Sequence, residues 1–77
     1  MLQIQNAQDY YQLSTPDVMM RFRKTPTGMT KCISVLKAFK EQFVARGDSQ
    51  SAELIDTAIT HVQFEKAGLT FNSETLQ

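Results

Sequence analysis

One cysteine, one histidine and no net charge are what this 77-residue chain has least of, and each shortage closes off a class of solutions. Cys32 has no second cysteine in the chain to bond with, so no internal disulfide braces the fold. His61 stands without the Cys/His spacing or the acidic cluster that a structural metal needs, and no cofactor motif accompanies it. No run approaches the roughly 18 apolar residues of a membrane span, and the opening residues lack a basic start followed by an apolar stretch. A soluble, cytoplasmic protein with no membrane partner is expected. A chain of this length buries only about 60% of the surface its unfolded state exposes, which leaves a few kcal/mol of net stability. Self-association or a partner is then the remaining source of support.

Charge is balanced in total and segregated in order. Residues 18–40 hold Arg21, Arg23, Lys24, Lys31, Lys37 and Lys40 with no acid, whereas residues 41–77 set Glu41, Asp48, Glu53, Asp56, Glu65 and Glu74 against Arg46 and Lys66. Such a division serves a partner of one sign, or it lets the two halves attract each other when they pack.

Two prolines and three glycines are the whole stock of chain breakers, and they punctuate the reading. Met1-Leu2-Gln3-Ile4-Gln5 alternates too briefly for a strand and reads as an arm. Asn6, with Asp9 three residues on, opens a short helix over 7–13. Ser14-Thr15-Pro16-Asp17 opens another over 16–24, because a hydroxyl caps, proline needs no N–H in the first turn and the acid suits the helix dipole. Thr25-Pro26-Thr27-Gly28 reads as a loop. From Met29 the apolar positions recur at helical spacing, with Cys32, Ile33, Val35, Leu36, Phe39, Phe43 and Val44 on one half of the wheel. Gly47 suits the left-handed position after that helix, and Asp48 or Ser49 caps the next. The second long helix, over 49–67, turns Ala52, Leu54, Ile55, Ala58, Ile59 and Val62 to one side and ends at Gly68.

The expectation is an all-α domain over 1–77. A central antiparallel helical hairpin carries one or two short N-terminal helices, with 1–5 as an arm and 70–77 as a frayed tail. Cys32 lies in the apolar stripe and reads as an inert buried thiol. His61 is a boundary histidine, and Glu53 with Asp56 form a solvated face lacking the pocket that acid/base work requires. Asp48-Ser49 ahead of a helix, with Glu53-Leu54 following, resembles the Asp-Ser motif of acyl carrier proteins, where a serine carries phosphopantetheine. Gln50 stands where that family has a hydrophobic residue, the spacing to Glu-Leu is short and the acidity is missing, so Ser49 is kept as a cap and no cofactor is assigned.

No enzyme, metal, cofactor or small-molecule substrate is inferred. The expected function is a non-enzymatic protein–protein interaction module that binds another protein or itself. Its candidate contacts are Phe64, an aromatic amid Glu53, Thr57 and Thr60, and Tyr10 and Tyr11, which read as core lids or a binding surface. Arg21, Arg23 and Lys24 complete the set. The alternative is a nucleic-acid-binding regulator using the basic 21–37 segment, which neutral overall charge disfavours.

Overall fold

Alternation, not helical periodicity, governs the N-terminal segment in the computed structural model, which describes the backbone of residues 2–75 and the side chains of residues 2–68. Three strands, β1 (Gln3–Asn6), β2 (Tyr10–Ser14) and β3 (Met19–Arg23), precede two helices, α1 (Pro26–Ala45) and α2 (Ser49–Thr75). The strands form an antiparallel meander in the order β1-β2-β3, pairing Ile4 with Leu13 and Tyr11 with Phe22. The fold is therefore α+β. This corrects the all-α expectation: the segments read as an arm and as short helices over 7–13 and 16–24 are the three strands of one sheet.

The reason lies in which residues end up covered. On β2, Tyr11 and Leu13 are buried while Tyr10, Gln12 and Ser14 keep partial exposure. On β3, Met20 and Phe22 are half-buried between exposed Met19, Arg21 and Arg23. That is a period of two, as a sheet with one covered face demands. A helical wheel can also collect Val18, Met19 and Phe22, but so short a helix gains little by itself. Pairing three short strands over the helical hairpin instead satisfies the backbone groups that face a neighbouring strand and buries one face of β2 and β3.

Two Thr-Pro pairs show how context decides local structure. Thr15-Pro16, read as a helix start, closes the β2–β3 hairpin. Thr15 N–H donates to the Val18 carbonyl at 2.8 Å, and Thr15 Oγ1 accepts from the N–H of Asp17 and Val18. Thr25-Pro26, read as a loop, starts α1: Thr25 has extended backbone and its hydroxyl accepts from Gly28 N–H at 3.0 Å, with proline in the first turn. The capping chemistry is alike, and the following residues settle the outcome. An alternating run follows Pro16, while Met29, Cys32, Ile33 and Leu36 at helical spacing follow Pro26.

The helices fold back on each other through Gly47, whose φ is +78°, and Asp48 caps α2 by accepting from Ser51 N–H at 3.1 Å and from Ser51 Oγ at 2.8 Å. Gly68 does not end α2; the helix continues through it to Thr75, so 70–75 of the expected tail is helical in backbone, while 76–77 lie outside the described residues. The core joins Tyr11 and Leu13 of β2 to Met29, Cys32, Ile33 and Leu36 of α1 and to Ala52, Ile55, Ile59 and Val62 of α2. Phe39, Phe43 and Val35 are partly buried against it. Val44 and Leu54, which the wheel puts on the apolar sides, remain exposed.

Gly28 is needed for a close approach rather than a turn. A Cβ there would lie 2.2 Å from the Arg23 carbonyl oxygen, where β3 passes directly into α1. At Gly68 a Cβ would meet nothing within 4 Å. Gly28→Ala is therefore expected to destabilise the fold by about 1–3 kcal/mol, and Gly68→Ala to stabilise it by up to about 1 kcal/mol. Urea unfolding of the two variants, followed by far-ultraviolet circular dichroism, checks the opposite signs.

Candidate interaction surfaces

A polar cluster pins α2 to the sheet. Alternation turns Tyr11 inward, the β1–β2 register sets Asn6 opposite it, and one helical turn separates His61 from Glu65. Tyr11 hydroxyl donates to Glu65 Oε2 at 2.6 Å, Lys24 Nζ lies 3.4 Å from the same oxygen, and His61 Nε2 lies 2.6 Å from Glu65 Oε1. A contact that short to a carboxylate calls for a proton on Nε2. Asn6 Nδ2, which is 3.0 Å from that nitrogen and 3.4 Å from Glu65 Oε1, then donates to the carboxylate. Lys24 Nζ also sits 4.8 Å from the centre of the Tyr11 ring.

The hydrogen bond from Tyr11 is the main influence holding the Glu65 carboxyl below its usual range, with His61 and Lys24 adding to it. Burial, reinforced by Glu65, raises the Tyr11 hydroxyl well above its ordinary value, so it remains a donor. Every polar group in this cluster has a partner, and no buried side-chain nitrogen or oxygen among the described residues lacks one. The arrangement is a clamp. Tyr11 is 1% exposed, so its ring belongs to the core, and Lys24 is engaged with Glu65 rather than aligned with the two arginines.

The opposite face of the sheet is open. It carries Gln3 and Gln5 of β1, Tyr10, Gln12 and Ser14 of β2, and Met19, Arg21 and Arg23 of β3. Arg21 stands across from Gln12 and donates through Nε to Gln12 Oε1 at 2.9 Å, while its guanidinium lies 4.9 Å from the Tyr10 ring centre. None of the three strands contains an acid. Tyr10, Arg21 and Arg23, selected from the sequence as members of helices and a basic segment, are thus brought together by strand alternation. The rest of 21–37 is dispersed: Lys24 turns to Glu65, and Lys31 and Lys37 are exposed on α1.

A third surface runs along the β1 side. Two adjoining clefts of about 530 and 500 Å³ share Leu2, Ile4, Leu54 and Thr57; Phe43 lines the first, and Ala58, His61 and Val62 line the second. Leu54 is 70% exposed, Ile4 40% and Phe64 81%. On α2, Leu54, Thr57, His61 and Phe64 follow one another at steps of three and four residues, which makes a stripe on one side of the helix. Sequence reasoning singled out Phe64, set Leu54 in the core and passed over Ile4. The signal for Ile4 was the alternation of Leu2 and Ile4 about Gln3.

Other chemistry is sparse. Cys32 has no exposed surface and burial pushes its thiol up to about 11, away from the thiolate a nucleophile needs. Among the described residues no group of His, Cys, Asp and Glu is arranged to hold a metal ion, and no helix is long and apolar enough to cross a membrane. No family model matches the chain, and neither a curated protein nor a solved structure matches it.

Tyr11→Phe keeps the ring and removes the donor to Glu65, so it is expected to cost about 1–2 kcal/mol, seen as a melting midpoint lower by about 5–10 °C. The clamp also sets an acid response. Because the folded Glu65 carboxyl titrates below its unfolded value, its stabilisation is present above the ordinary glutamate range, near about 4.3, and is lost as pH falls through the lower folded value. Melting midpoints from pH 6 to pH 3 should fall less steeply for Glu65→Gln than for the native chain. Asp48, lowered by its bonds from Ser51, contributes to the slope that remains.

Proposed function

We propose that the chain is a non-enzymatic protein–protein interaction module, and that its binding surface is the β1 side, from Leu2 and Ile4 across Leu54 to Phe64. The observation that carries this reading is that Ile4 and Leu54, which line one cleft, stay exposed beside the edge strand β1, and that Phe64 stands exposed further along α2. An open strand edge offers backbone donors and acceptors to another chain, and an aromatic among polar neighbours is the usual form of an interface anchor. The partner is another protein or a second copy of this chain. A cytoplasmic setting belongs to the same reading, supported by a cysteine usage of one buried thiol, Cys32.

Leu54 and Phe64 lie outside the core, so Leu54→Ser and Phe64→Ala should leave helicity unchanged. Each is expected to weaken association about tenfold or more. Binding measured with the immobilised chain, beside the solution mass of each variant, tests this. Equal association in both variants would remove the proposed surface.

A second reading rests on a separate observation, the acid-free open face where Arg21 and Arg23 stand with Gln12 and Tyr10. Arginine and glutamine on a strand are the side chains that read base edges in a duplex groove, and some DNA-binding proteins insert a sheet there. Fluorescence anisotropy with a short duplex discriminates. Binding that weakens steeply with salt and is lost in the double variant Arg21→Glu, Arg23→Glu supports it; binding indifferent to that change sinks it.

A further inference from the structure

The occupant of the β1 side can be argued from the strand itself. We infer that it is a second copy of this chain, joined by antiparallel pairing of β1 with β1 across a two-fold axis and by contact between the two α2 helices. This rests on the interaction reading above and gives it a partner.

Backbone direction makes the edge available. Ala7 N–H donates to the Tyr10 carbonyl at 3.0 Å, and alternation along an antiparallel ladder from that pair makes Gln5 and Gln3 the residues bonded to β2. The N–H and C=O of Ile4 and Asn6 therefore face outward. Pairing centred on Ile4 lets each copy donate to and accept from the other at that residue, so the orphan groups are satisfied reciprocally, as an isologous contact requires. The product is a six-stranded sheet in the order β3-β2-β1-β1-β2-β3.

Charge agrees with self-pairing. Native sheets protect free edges with shortness, charges, prolines or bulges; β1, Gln3-Ile4-Gln5-Asn6, is short but carries neither charge nor proline, whereas β3 at the other edge carries Arg21 and Arg23. No like charges would meet across the β1 axis, and the chain as a whole is neutral.

The helices complete the contact. Asn6 and Tyr11 both reach residues of α2, so α2 lies beneath β1 and β2, and a two-fold axis at β1 sets the two α2 helices side by side. The stripe Leu54, Thr57, His61 and Phe64 is then the part of α2 nearest the partner, with Glu53, which lines the first cleft, at its rim. From Ser49 to Gly68 the helix spans about 30 Å. Taken with the 20 Å width of the molecule, that offers at most about 600 Å² for each copy, which reaches the lower end of what a stable dimer buries.

Sedimentation velocity over roughly 1–100 µM, a range that brackets micromolar affinity, should show the mass rising from 8.7 kDa to twice that value. Leu54→Glu, at an exposed position, should hold the chain monomeric with unchanged circular dichroism. Ile4→Cys should form an intermolecular disulfide on mild oxidation, since directly opposed strand residues stand at about the right separation, while Val18→Cys at the β2–β3 turn should not. Cys32 is fully buried and does not compete. A native chain that stays at 8.7 kDa throughout overturns the inference, as does a dimer that survives Leu54→Glu with Ile4→Cys unlinked. A monomer that still binds another protein through Leu54 and Phe64 also overturns self-pairing but leaves the interaction module standing; one that binds nothing ends both.

Discussion

A layer about one side chain thick holds this molecule together: Tyr11 and Leu13 of β2 on one side, and Cys32, Leu36, Ile55 and Ile59 of the helical hairpin on the other. The sheet contributes few fully buried residues, so each carries an unusual share of the attachment. Tyr11 has a double role, since its ring fills the core while its hydroxyl reaches Glu65 at the rim. That one bond couples the apolar layer to the polar clamp.

The clamp and the helix pairing also account for the uneven charge. Lys24 from the basic stretch meets Glu65, and Lys40 meets Asp56 at 2.7 Å, so acids late in the chain partner bases from its middle. The Lys40–Asp56 pair is well exposed and contributes under about 1 kcal/mol. Lys24 contributes more through context, because it also covers the Tyr11 ring. Arg21 and Arg23 have no acid facing them on the sheet and give the open face its positive character.

Three surfaces then have distinct characters. The covered face of the sheet is spent on the core, the open face is polar and basic, and the β1 side joins an unpaired backbone edge to exposed apolar side chains. A domain this small has little surplus burial to spend on isolated stability. Covering the β1 side with a second chain would add apolar burial at Ile4 and Leu54, which the single chain leaves exposed.

The helical hairpin was legible in the residues, because a long apolar stripe, a glycine at the turn and an aspartate cap all point one way: Cys32 to Phe43, Gly47 and Asp48 are local signals that agree. The N-terminal half was not. Tyr10 and Tyr11 side by side, Val18 with Phe22, and Thr-Pro at two places satisfy helix and strand rules over so few residues, and strand pairing is a non-local choice that shows only in the partner. Which Thr-Pro starts a helix, that Gly28 must admit the Arg23 carbonyl, and that Leu54 stays in solvent while Tyr11 does not were all decided by tertiary packing. The candidate site divided the same way. Position on the helical wheel marked Phe64, and residue type marked Tyr10, Arg21 and Arg23, but only the sheet brought the last three onto one face, and only the packing of α2 under β1 set Ile4 beside Leu54. Local chemistry determined the two long helices and their turn; the sheet, its open edge and the surfaces beside it exist because distant segments had to satisfy one another's backbone and bury one shared layer.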